Sequence, residues 1–85
     1  MITDTHTDDD LLPMLDNAGT WLVRGGLQAP VLALVHTLRE ALTRAFEEES
    51  RAPRSVLVIV KTPADDPAIH LAQMARLWKH LGFVN

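Results

Sequence analysis

The chain contains no cysteine among its 85 residues, and this absence excludes disulfide bonds and thiolate-ligated metal centres. A chain of this length buries only about 60% of the surface that its unfolded form exposes. Without a covalent or metal staple, the fold needs another source of burial. We therefore expect this protein to associate with a second copy of itself or with a larger protein.

Positive charge is also scarce. Eight Lys and Arg residues against eleven Asp and Glu give a net charge of −3, which argues against the basic surface that nucleic-acid binding requires. The first ten residues hold four Asp and lack the apolar stretch of a signal peptide. The apolar run at 56–60 is far shorter than the ~20 residues that span a bilayer. We expect no nucleic-acid partner, no membrane partner and a cytoplasmic location.

The acidic N-terminal segment has few side chains that burial would stabilise. Residues 1–10 are predicted to form a disordered tail, and residues 11–85 a single small α/β domain. His6 and the carboxylates of residues 8–10 are of the types that bind divalent cations. Because nothing in a disordered tail fixes their positions, we predict no metal site.

Two segments have the composition of strands. The run at 56–60 (VLVIV) has no polar position and predicts a strand that is covered on both faces. A second strand is predicted at 21–23, and Phe83 and Val84 could begin a third. The order strand, helix, strand, helix is typical of a βαβ unit. The predicted fold is a small β-α-β-α unit with two to three mostly parallel strands and two amphipathic helices.

Apolar residues recur at spacings of three and four in two other segments, and this period predicts helices. The first helix is predicted over 30–48, with Pro30 in its first turn. The second is predicted over 67–81, with Asp66 as N-cap and Gly82 in the left-handed position beyond its last turn. Both helices carry more apolar surface than one small sheet face can cover, so part of that surface is expected at an interface.

The helix seams are therefore the predicted functional surface. They are expected to face a protein partner, with Trp78 as the anchor of the contact. The predicted interface consists of eight apolar residues, Val31, Val35, Leu38, Leu42, Leu71, Met74, Trp78 and Leu81.

Residues 19–26 (GTWLVRGG) resemble the opening of ketoreductase domains of the short-chain dehydrogenase superfamily. In a second register, residues 17–19 (NAG) resemble the turn after that superfamily's fourth strand, and the two predicted helices look like its dimer-forming helices. The resemblance implies a Rossmann-like half-fold and, in the second register, a dimer. The chain departs from the family because residues 27–30 (LQAP) lack the further glycines of the phosphate loop. The catalytic Tyr-x-x-x-Lys pair of the family is also absent, since the chain has no tyrosine.

No group of residues has the pattern of a catalytic site. Ser50 and Ser55 lie outside any Gly-x-Ser-x-Gly motif. His70 and His80 lie about 15 Å apart on one helix, so they cannot share a metal ion. His36 lies among apolar residues and is predicted to be a hydrogen-bonded structural residue. We predict no catalytic residue and no cofactor.

These observations predict a non-catalytic small α/β protein that acts through protein association, as a homodimer or as an accessory subunit or adaptor. A first alternative is a nucleotide- or anion-binding module at Gly25 and Gly26, which would use the N-terminus of the helix that follows. A second alternative is a subunit that completes an enzyme site with another chain.

Overall fold

The computed structural model describes residues 8–26, 30–51, 57–62 and 68–83. The helical elements in these ranges are α1 (Asp8–Leu11), a 3₁₀ helix (Leu12–Met14), α2 (Leu38–Arg51) and α3 (Leu71–His80). The strands are β1 (Thr20–Arg24), β2 (Val31–Val35), β3 (Val58–Thr62) and β4 (Ala68–His70). Residues 1–7 of the predicted tail lie outside the described residues, and residues 8–10 belong to α1.

The four strands form one antiparallel sheet in the order β2-β1-β3-β4. β1 and β3 are neighbours, and Leu22 pairs with Val60 while Val23 pairs with Ile59. They run in opposite directions, as do the two other neighbouring pairs. The prediction of mostly parallel strands is therefore wrong.

An additional strand explains the change of direction. Residues 31–35 are predicted to begin the first helix, but they form β2, which runs antiparallel to β1. The chain thus turns back once before α2 leads it from β2 to β3. β2 and β3 run in the same direction with β1 between them, so β3 is antiparallel to β1. One strand inserted before the helix converts the expected parallel unit into an antiparallel sheet.

The first long helix begins at Leu38 because Thr37 caps it. The backbone N–H of Glu40 donates to Thr37 Oγ1 at 3.1 Å. The carboxylate of Glu40 in turn accepts a hydrogen bond of 3.0 Å from the backbone N–H of His36. This arrangement is a variant of the capping box, which satisfies N–H groups that have no partner within the helix. The predicted start of the helix at residue 30 is wrong.

The last helix, α3, begins later than predicted because the chain first forms β4 against β3. Its C-terminus agrees with the prediction, since Gly82 has a φ of 88°. The N–H groups of Gly82 and Phe83 donate to the carbonyls of Lys79 and Trp78 at 3.2 and 2.8 Å, which forms a Schellman motif. Phe83 belongs to this turn and not to a third parallel strand. Residues 84 and 85 lie outside the described residues.

One hydrophobic core lies between the sheet and the helices. The indole N–H of Trp78 donates to the carbonyl oxygen of Leu42 at 3.0 Å, which joins α3 to α2. The ring of Phe46 packs edge-to-face on Trp78, with 5.2 Å between the ring centroids. The buried residues of this core cluster are Leu11, Leu15, Trp21, Val23, Leu38, Ala41, Leu42, Ala45, Leu57, Ile59, Ile69, Met74, Leu77 and Trp78.

The run at 56–60 is buried on both faces of the sheet where the structure describes it. Leu57, Val58, Ile59 and Val60 are each at most 1% exposed, which confirms the predicted burial. Leu57 and Ile59 belong to the core cluster, whereas Val58 and Val60 do not. Since successive strand residues point to opposite faces, Val58 and Val60 lie on the other face, which we call the outer face. Residue 56 lies outside the described residues.

Candidate protein interface at the edge strand

Among the described strands, β2 lies at an edge of the sheet and pairs with β1 alone. One side of its backbone therefore faces away from the sheet, and such edges are templates for pairing with another strand. Val31 is 45% exposed and Leu34 is 58% exposed, and these two are the large apolar residues that are exposed among the described residues. β2 contains no charged residue that would repel an apolar strand.

The pairing of β2 with β1 is irregular at one point. Val23 of β1 lies opposite Ala33, and Arg24 lies opposite Val31, so Leu32 has no partner residue in β1. A β-bulge of this kind changes the direction in which neighbouring side chains point. Leu32 and Ala33, although adjacent, both pack against the core cluster.

The two exposed residues of β2 both lie on the outer face. Leu34 is opposite Leu22, and Leu22 is opposite Val60, which lies on that face. Val31 is opposite Arg24, and Arg24 is opposite Val58, which also lies on the outer face. Exposed apolar side chains therefore occupy the edge of the outer face, next to the unpaired backbone.

An open groove of about 390 Å³ lies between the edge of β2 and α2. Its strand side is mostly apolar, and its helix side presents charges of both signs. The groove is lined by Leu34, Val35, His36, Arg39, Glu40, Thr43 and Arg44. Because both signs are present, the groove suits an uncharged strand or one of mixed charge better than a strongly acidic one.

The segment before β1 holds the α2 side of this groove. The guanidinium of Arg39 donates two hydrogen bonds, of 2.8 and 3.2 Å, to the carboxylate of Asp16. The backbone N–H of Arg39 also donates to the carbonyl oxygen of Leu15 at 3.0 Å. The hydrogen bond from Arg39 lowers the pKa of Asp16 below its ordinary value. Both side chains are exposed, so the pair positions the start of α2 and adds little stability.

Seven of the eight predicted interface residues pack within the chain itself. The buried members are Leu38, Leu42, Met74 and Trp78, and the half-buried members are Val35, Leu71 and Leu81. Val31 is the member that is exposed. The ring of Trp78, predicted as the anchor of a partner, contacts Phe46 and the carbonyl of Leu42. The helix seams therefore face the core, and the apolar surface open to a partner lies on β2.

The turn at Gly25 and Gly26 lies between two strands. Gly26 has a φ of 143°, and the next described element is β2. The anion-binding alternative requires a helix directly after this turn. The first helix described after it is α2, and two of its early N–H groups already bond to Thr37 and Leu15. The described residues thus give this alternative no support.

Histidine and carboxylate side chains do not converge in the part of the chain that the structure describes. No group of three or more of them could hold a metal ion there. His36, His70 and His80 are exposed at separate places, before α2, at the end of β4 and at the end of α3. None of the helices in these ranges is long and apolar enough to cross a membrane. Ser50 is an exposed residue of α2, whereas His6, Ser55 and Asp66 lie outside the described ranges.

Leu34 is the interface candidate that the sequence reasoning misses. It follows Val31 by three positions, so it extends the stripe of the predicted helix and looks like a core residue. A signal for its true position is present in Thr37 and Glu40, which have the Thr-x-x-Glu spacing of a capping box. A helix that starts after Thr37 leaves residues 31–35 as a separate run with β-branched ends, which favours a strand.

No protein-family model, curated protein or solved structure matches this chain.

Proposed function

We propose that this protein is a non-catalytic binding protein that acts through protein–protein association, with the edge of β2 as its contact surface. The observation that carries the proposal is the exposure of Val31 and Leu34 on an uncharged edge strand. Edge strands are usually protected from pairing by charges, proline, a bulge or a covering segment, and β2 has the bulge but contains no charged residue and no proline. The bulge at Leu32 leaves both exposed side chains on the outer face, where a partner can reach them.

The two exposed side chains provide a driving force for association. Fully burying a Leu or Val side chain stabilises by about 1.5–3 kcal/mol. Leu34 and Val31 retain about half of their surface in water, so each can contribute about 1 kcal/mol when a partner covers it. Backbone hydrogen bonds along the free edge would add direction and register to this apolar contact.

The first experiment measures association and its dependence on this edge. Sedimentation velocity across the micromolar range should show species heavier than the 9.4 kDa chain. A fluorescein-labelled peptide of alternating Thr and Val serves as a general strand probe, and its anisotropy should rise on addition of the protein. Leu34→Lys places a charge on the edge and should abolish both signals.

Ala75→Lys is the matched control, because it adds the same charge at an exposed position of α3. Association and peptide binding should be unchanged in this variant. A parent chain that stays at 9.4 kDa and does not bind the peptide would contradict the proposal. Equal loss of both signals in Leu34→Lys and Ala75→Lys would also contradict it, because the effect would then be one of net charge.

A further inference from the structure

We infer that the strand bound at this edge is β2 of a second copy, paired antiparallel about a two-fold axis between Leu32 and Ala33. The inference rests on the proposed function and names its partner. In this register Val31 lies opposite Leu34 of the second copy, and Leu32 lies opposite its Ala33. The two sheets would join into one sheet of eight strands.

The exposure of successive side chains along β2 selects this register. Val31 and Leu34 are exposed on the outer face, whereas Leu32 and Ala33 are half-buried and pack against the core cluster. Residues opposite each other in an antiparallel pair lie on the same face, so exposed residues must meet exposed residues. Pairing Val31 with Leu34 and Leu32 with Ala33 meets this condition.

A second symmetric register is permitted by the sequence alone. Residues 31–35 (VLALV) read the same in both directions about Ala33, so a two-fold axis at Ala33 would place Val31 opposite Val35 and Leu32 opposite Leu34. That register sets an exposed residue against a half-buried one at each of these pairs. The bulge at Leu32 therefore excludes the register that the palindrome suggests.

Charge also favours a second copy over a charged partner. β2 itself is uncharged. The exposed charged residues of α2 are three cations, Arg39, Arg44 and Arg51, and two anions, Glu40 and Glu47. Because both signs are present, cations of one copy can lie beside anions of the other where the two α2 faces meet.

The other edge of the sheet explains why the assembly would close at two copies. β4 has three residues and ends at exposed His70, so it offers little length for a further strand. In a two-fold dimer the β2 edges of both copies are paired with each other, so the free edges of the joined sheet are the two β4 strands. A five-residue strand pair is smaller than a standard interface of about 1,200–2,000 Å², so we expect a reversible dimer.

The absence of cysteine makes disulfide cross-linking a direct test. Val31→Cys and Leu34→Cys are made in the full chain and oxidised alone and as an equimolar mixture. In the inferred register the Cα atoms of positions 31 and 34 in opposite copies lie about 4.5–5.5 Å apart, which permits a disulfide. Two copies of position 31, or of position 34, are offset by three residues, about 10 Å along the strands. Cross-linked dimer should form about tenfold faster in the mixture than in either variant alone.

A mixture of Ala72→Cys and Ala75→Cys is the control, because both positions are exposed on α3. This mixture should cross-link no faster than its components. Faster cross-linking in a mixture of Val31→Cys and Val35→Cys than in the mixture of Val31→Cys and Leu34→Cys would overturn the inferred register and support the axis at Ala33. A chain that remains monomeric but binds the Thr-Val peptide at β2 would overturn the second copy as partner and leave the proposed function intact. Dimerisation that survives Leu34→Lys would contradict both proposals.

Discussion

Two five-residue apolar runs, at 31–35 and 56–60, have similar composition and opposite surroundings. The first forms β2 at the edge of the sheet, and its Val31 and Leu34 are exposed. The second leads into β3, which has β1 and β4 as neighbours, and its Val58 and Val60 are buried. The position of a strand in the sheet, and not its hydrophobicity, decides which of the two runs is covered.

An apolar strand does not by itself show whether its neighbours run parallel or antiparallel to it. A run without a polar face needs cover on both sides, and β3 has it. Parallel sheets commonly meet that need with helices, but β3 meets it within an antiparallel sheet. Burial on both faces is therefore not sufficient evidence for a parallel sheet.

Removing a large side chain from the core cluster that contains the buried run should have the largest effect on the free energy of unfolding. Trp78 belongs to the same core cluster as Ile59, so Trp78→Ala should lower the free energy of unfolding by about 3–5 kcal/mol. Trp78→Phe keeps an aromatic ring but loses the hydrogen bond to Leu42, which costs about 1 kcal/mol. Urea unfolding followed by circular dichroism measures both. A Trp78→Ala variant with unchanged stability and lost association would restore Trp78 as an interface anchor.

A pair of alanine substitutions compares the two runs directly. Ile59 is fully buried, so Ile59→Ala should cost about 2–5 kcal/mol of unfolding free energy. Leu34 is 58% exposed, so Leu34→Ala should change it by no more than about 0.5 kcal/mol. Thermal and urea unfolding are measured at a protein concentration that keeps the chain monomeric. Similar losses in the two variants would show that β2 is covered as well as β3.

The cap between β2 and α2 should contribute a smaller amount to the free energy of unfolding. Thr37→Ala removes the oxygen that accepts the N–H of Glu40, and we expect a loss of about 1 kcal/mol. Thr37→Ser keeps that oxygen and serves as the control. Hydrogen exchange should become faster at Glu40 in the alanine variant. Unchanged exchange at this N–H would contradict the cap and would reopen the possibility of a helix that starts earlier.

The ion pair beside the groove should have the smallest effect. Because the hydrogen bond from Arg39 lowers the pKa of Asp16 in the folded state, its contribution is present above about pH 3.8. That contribution is lost as the pH falls through the lower folded-state pKa, and salt should weaken it. An NMR titration of Asp16 measures the pKa, which should rise towards its ordinary value in Arg39→Gln. The same pKa in both proteins would show that the ion pair is absent in solution.

Sequence reasoning is most successful where residues close in the chain decide the structure. The left-handed Gly82 and the strand at 21–23 follow from local patterns, and both are present. The candidate interface is recovered only at Val31. Leu34 and the bulge at Leu32 are missed, because a short apolar run has a period compatible with both a helix and a strand.

By itself, the sequence determined which segments are apolar, where one helix ends and that residues 57–60 would be buried, because these depend on side-chain chemistry and local backbone geometry. Only the tertiary structure decided that 31–35 would pair with β1, that β3 would run antiparallel to β1, and that β2 would be left at an edge. Strand pairing joins residues that are distant in the chain. The reversal of the chain before α2 sets the direction of β3 relative to β1. The exposed surface of β2 is a consequence of that pairing, which its own five residues do not encode.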